Sequence, residues 1–188
     1  MLIAEKKKSE NIAEYMIYMF QLEDMMRAFL FDKTKIKDHI IIPQTPSNDQ
    51  AVIEASEKWF YAIVDEMKSR ELDQKGHTFA VTEVLNEVLY LHNTFIDVTK
   101  SKKYIAIYEE AEKVIEDFRT KSNLKEAHPV QIAIEAMYMK LLMRLKKQPI
   151  SDETEKGFES MRKLLTYLTK AYHQMKKGDM SMFESTSS

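Results

Sequence analysis

Apolar residues recur with helical period through most of this chain, and the first long block sets the architecture. From Ile12 to Phe31 they fall on nearly every side of the helix they predict. Glu23 stands among Ile12, Met16, Met19, Met26 and Leu30, with Arg27 one turn on. A helix apolar all round is surrounded by others, and a carboxylate on such a helix needs a partner. The block from Val130 to Lys146 has the same character and carries Glu135, Lys140 and Arg144. The simplest packing puts these two helices in the middle, unless one of them spends its extra apolar face on a second subunit.

The remaining boundaries are set by caps and breakers. The first helix is expected from about Ser9, or a turn earlier, to Phe31. Asp32 caps a short second helix in which Ile36 and Ile40 share a face, ending before Pro43. Ser47 with Gln50 makes a capping box for a third, with a stripe of Val52, Ser56, Trp59, Phe60, Ile63 and Met67 and an end near Gly76. A fourth spans about 78–99 and a fifth about 102–121. His128-Pro129 opens a sixth that Pro149 closes, and Ser151 caps a seventh that Gly178 stops. The pattern therefore predicts an all-α fold: a compact bundle of about six or seven helices, mostly antiparallel neighbours, with central apolar helices 9–31 and 129–147. One domain over 1–178 is expected, followed by a disordered tail at 179–188.

Composition narrows the picture mainly by exclusion. Three glycines and four prolines in 188 residues leave little material for hairpins or long loops. A net charge of −2 with no strongly basic block implies no nucleic-acid surface. Without cysteine there are no disulfides, zinc thiolates or cysteine nucleophiles, and a cytoplasmic setting is the expectation. The start Met-Leu-Ile-Ala-Glu-Lys-Lys-Lys turns charged at once, and no apolar run approaches the length of a membrane span.

Two residues carry candidate chemistry. Glu23 pairs most simply with Arg27 or with Arg144 and sets helix register; the sharper reading makes it an acid, a base or a ligand anchor. His92 lies at the centre of the stripe Val81, Leu85, Val88, Leu89 and Ile96, as a core histidine or as a partner for Glu23 across the core. The loop pair Gly76-His77 is a further candidate, although a helix-stopping glycine explains it equally well. The chain has no Glu-x-x-His, His-Glu-x-x-His, phosphate-binding glycine loop or nucleophile elbow, so neither metal nor cofactor is expected.

The run Asn11-Ile12-Ala13-Glu14-Tyr15, then Tyr18-Met19-Phe20-Gln21, Glu23-Asp24 and Arg27 resembles the opening of a bacterial family, domain of unknown function 4924. Lys75-Gly76-His77, Leu91-His92, Arg144-Leu145-Lys146 and Ile150-Ser151 are similar to its later landmarks. Phe20 stands where the family pattern has tryptophan. The resemblance implies an all-helical fold and no known activity, and it groups Glu23, Arg27, Gly76, His77, His92 and Arg144 without assigning them roles.

The functional expectation is a non-enzymatic module for protein–protein interaction or self-association, through a helix face left apolar once the bundle closes. The alternative is a small-molecule binder or enzyme whose core pocket is anchored by Glu23, Arg27, His92 and Arg144.

Overall fold

A computed structural model describes residues 3–45 and 49–183, and every regular element among them is helical. The first predicted helix is two. In α1 (Ile3–Glu10) and α2 (Ile12–Ala28) the axis is interrupted at Asn11, whose backbone is extended and whose side chain accepts from the N–H groups of Ala13 and Glu14. An asparagine that can cap is preferred where a helix restarts. The far end also stops early. Leu30 and Phe31 take left-handed backbone at φ 54° and 59°, which reverses the chain, and Leu30 is 82% exposed rather than part of the stripe around Glu23.

Asp32 caps α3 (Lys33–Ile36) as expected, accepting from Thr34 and Lys35. This segment does not end before Pro43. A π-helical turn at Lys37–Ile41 leads into α4 (Ile42–Gln44), which contains the proline. The wider turn replaces the tight ladder just where proline offers no N–H and crowds the carbonyl behind it. Ile36, Ile40 and Ile41 are buried by it.

The predicted Ser47 cap lies outside the described residues; Asp49 accepts from Ala51 at the start of α5 (Gln50–Ser69). That helix ends well before Gly76, because Glu71 turns left-handed at φ 54° and opens an irregular loop up to Thr78. Then come α6 (Phe79–Asn93), prolonged by a π turn at Thr94–Val98, α7 (Lys102–Lys121), α8 (Pro129–Leu145) and α9 (Asp152–Lys176). The last three match their expected limits, with His128 and Ser151 capping α8 and α9. A 3-10 turn at Ser181–Phe183 stacks Phe183 on Phe95, 5.1 Å between ring centres, so packing continues past the expected boundary at 178.

One apolar cluster joins all the long helices. Helix α2 packs on α1, α6, α8 and α9, and α8 packs on α2, α6, α7 and α9. The two helices expected in the middle are there, but α9 shares the position, contacting α2, α6, α7 and α8. Its Gly157 lets α7 come close: a Cβ there would lie 2.7 Å from Cγ1 of Val114.

Candidate functional site

Glu23 points inward from the middle of α2 and has no exposed surface. Neither expected arginine neutralises it. Its Oε2 accepts from Nδ1 of His77 at 2.7 Å, and its Oε1 accepts from both the backbone N–H and the hydroxyl of Thr78 at 2.9 Å. Three donors from one loop therefore satisfy the carboxylate, as burial demands. Thr78 is also the residue before α6. Its hydroxyl donates to Glu23 and caps no N–H of that helix, and the first of those N–H groups, from Phe79, is taken at 2.6 Å by Glu66 on α5.

His77 lies flat on Phe20, 4.1 Å between ring centres and 15° from parallel, and Tyr138 meets the edge of the same phenyl ring. On its other side, Nε2 is 3.9 Å from Glu135 of α8. Burial alone would lower the imidazole pKa, but the carboxylates of Glu135 and Glu23 outweigh it and raise the group to about 9. At 3.9 Å the Glu135 contact is charge attraction, so the 2.7 Å bond to Glu23 holds the ring more firmly.

Arg27, one turn from Glu23, serves the same loop from the outside. Its Nε donates to the carbonyl of Leu72 at 2.9 Å and its Nη2 to that of Gly76, while Nη1 pairs with Asp24 at 2.8 Å. Asp24 accepts in turn from the Tyr138 hydroxyl at 2.7 Å. Gly76 adopts φ 91°, the left-handed region that favours glycine, which turns its carbonyl to that guanidinium. Arg70 completes the clamp by donating to the His77 carbonyl at 3.0 Å.

The other two candidates are elsewhere. His92 is buried on α6, but its Nδ1 meets the Tyr104 hydroxyl of α7 at 2.6 Å, with Tyr108 and His128 edge-on around it. Burial, then the neighbouring His128, lowers its pKa to about 4, so it is a neutral core histidine and not the partner of Glu23. Arg144 is 62% exposed near the end of α8 and pairs with Glu155 of α9 at 3.0 Å. Glu23, Arg27, Gly76 and His77 thus meet, and His92 and Arg144 do not join them.

The family described as Domain of unknown function (DUF4924) matches residues 1–179. The chain belongs to this family. No curated protein and no solved structure matches it. The match spans both the Glu23 cluster on α2 and its loop partners, and in this member of the family Phe20 has the role of an aromatic shelf for His77.

The chemistry available to the cluster follows from its occupancy. Every lobe of Glu23 turned toward a donor is taken, and His77, protonated up to about pH 9, has no free base to offer near neutrality. The arrangement ties the loop before α6 onto α2 and α8. Thr78, Glu135, Tyr138 and Asp24 belong to it and were not among the expected residues; Thr78 was visible only as a helix start. Among the described residues no group of three or more histidine, aspartate or glutamate side chains is placed to hold a metal ion, and no helix is long and apolar enough to cross a membrane.

A second feature lies along the opposite stretch of α2. Glu14, Ile17, Tyr18 and Gln21 face Met137, Lys140, Leu141 and Arg144 of α8 across an open groove of about 460 Å³. A smaller hollow of about 180 Å³ continues it toward α9 and shares Glu14, Ile17, Met137 and Arg162 with it.

Proposed function

We propose that this chain is a non-enzymatic interaction module that presents the groove between α2 and α8 to another polypeptide. The observation that carries the reading is how α8 ends. Its first turns are enclosed, with Val130, Ile132, Ala133, Ile134 and Ala136 buried, whereas from Met137 onward apolar side chains other than the buried Tyr138 reach the surface. Met137 and Leu141, which line the groove, are half-buried, as are Leu142 and Met143, while Met139 at 46% exposed and Leu145 at 59% lie outside its lining. Apolar helix surface is costly to leave in water, which supports the contact reading. The composition, free of cysteine, supports a reducing compartment, and we place the module in the cytoplasm.

The test is site-directed photo-crosslinking in living cells, with a photoreactive residue at Leu141 in the groove or at Glu109 on the exposed face of α7. The reading expects a discrete adduct from Leu141, either another protein or a second copy of the chain, and none from Glu109. Indistinguishable adducts from both positions would contradict it.

A further inference from the structure

The groove has the form of a seat for one more helix. Residues 14, 17, 18 and 21 of α2 and 137, 140, 141 and 144 of α8 each repeat at helical spacing, so one face of each helix lines the groove and supplies Ile17, Met137 and Leu141 as its apolar surface. From Asn11 to Gln21 the α2 side runs about 15 Å, the length of roughly three helical turns.

The charge on the rim is one-sided. Lys7, Lys140, Arg144 and Arg162 line the groove with a single carboxylate, Glu14, which pairs with Lys7 at 3.1 Å, and of the four cations only Lys140 is buried, in a chain whose net charge is −2. Carboxylates just outside do not balance them. Glu155 serves two cations with one oxygen, accepting from Lys140 at 2.6 Å and from Arg144 at 3.0 Å, and Glu159 pairs with Arg162. Three carboxylates thus answer four cations. The arginines are more than half exposed, and ion pairs so exposed exchange partners at little cost.

We infer that the occupant of this groove is an acidic amphipathic helix of a partner protein, its apolar face on Ile17, Met137 and Leu141 and its carboxylates on Arg144, Arg162 and Lys7. This rests on the interaction reading above. The acidic groups replace Glu155 and Glu159 as partners of the arginines, so binding weakens with salt.

Fluorescence anisotropy on the full chain tests it with two labelled synthetic peptides. Both carry leucine at i, i+3, i+4 and i+7; one has glutamate and the other lysine at the flanking positions. The acidic peptide is expected to bind at least about tenfold tighter at low salt and to lose that advantage in an Arg144→Glu, Arg162→Glu double variant. Both arginines are exposed, so the variant should melt like the parent; Leu141→Glu, on the groove's apolar surface, is the second check and should lose both peptides. Equal binding of the two peptides, or preference for the basic one, would overturn the inference while leaving an apolar interaction site standing. Binding of neither peptide by a chain that sediments as a dimer would also overturn it, with a second copy as occupant. Binding of neither by a monomer would overturn it too, and the Leu141 crosslink would then decide the interaction reading separately.

Discussion

His77 places its Nδ1 2.7 Å from Oε2 of Glu23, so the carboxylate buried in α2 is answered by a loop residue and not by the arginine one turn along its own helix. The contact joins residues 54 positions apart and draws Thr78, the residue before α6, onto the same carboxylate. Removing Glu23 strips the loop of its buried acceptor, and removing His77 leaves Oε2 of the buried carboxylate without its donor. Glu23→Ala is expected to cost on the order of 3–5 kcal/mol in urea unfolding. A double-mutant cycle with His77→Ala should return a coupling of at least about 1 kcal/mol, whereas additive single effects would mean that the two side chains do not act together.

The half-buried His77 and the buried His92 give the fold opposite pH slopes. His77 in the folded chain titrates at about 9, above the ordinary 6.5, so the stability it contributes is fully present below pH 6.5 and is lost as the pH rises through 9. The shift corresponds to roughly 3 kcal/mol at most. His92, lowered to about 4, contributes stability that is present above 6.5 and lost as the pH falls through 4. Ring-proton NMR titration should find one imidazole near 9 and one near 4. Finding both near 6.5 would contradict the assigned environments.

Helical periodicity made much of this legible and also set its limits. The limits of α7, α8 and α9 could be read because proline, serine and glycine act locally on the backbone. The partner of Glu23 could not. A helical wheel compares residues within one helix and so nominates Arg27, whereas His77 arrives by the path of a loop that has no period. The break at Asn11 was hidden because both sides of it are good helix. The π turns at 37–41 and 94–98 change the period itself, and so leave no mark in a pattern searched at 3.6 residues. His92 and Arg144 show the converse: each has a plausible partner type, and only packing decides that these are Tyr104 and Glu155.

Arg27 holds the loop by two carbonyls, those of Leu72 and Gly76. Hydrogen bonds to a charged group are worth about 1.5–3 kcal/mol each. Arg27→Ala should therefore raise hydrogen exchange across residues 70–78 well above that in α7, which Arg27 does not touch. Uniform acceleration throughout the chain would show that the loop is not a separate unit tied down by this side chain.

The close approach of α7 and α9 rests on Gly157. Alanine there would set its Cβ 2.7 Å from Val114, and the overpacking should cost about 1–3 kcal/mol. A Val114→Ala change in the same chain should recover part of that loss. Thermal melts of the two single variants and the double variant measure it, and a Gly157→Ala protein as stable as the parent would contradict the contact.

The central claim is that Glu23 and His77 latch the fold together and that recognition happens on the outer groove. Native mass spectrometry of the freshly purified chain and of a folded Glu23→Gln variant tests this most directly. The account predicts the bare mass of the chain, or whole multiples of it, in both proteins. A small-molecule mass carried by the parent and lost from the still-folded variant would contradict it, because Glu23 would then be anchoring a ligand.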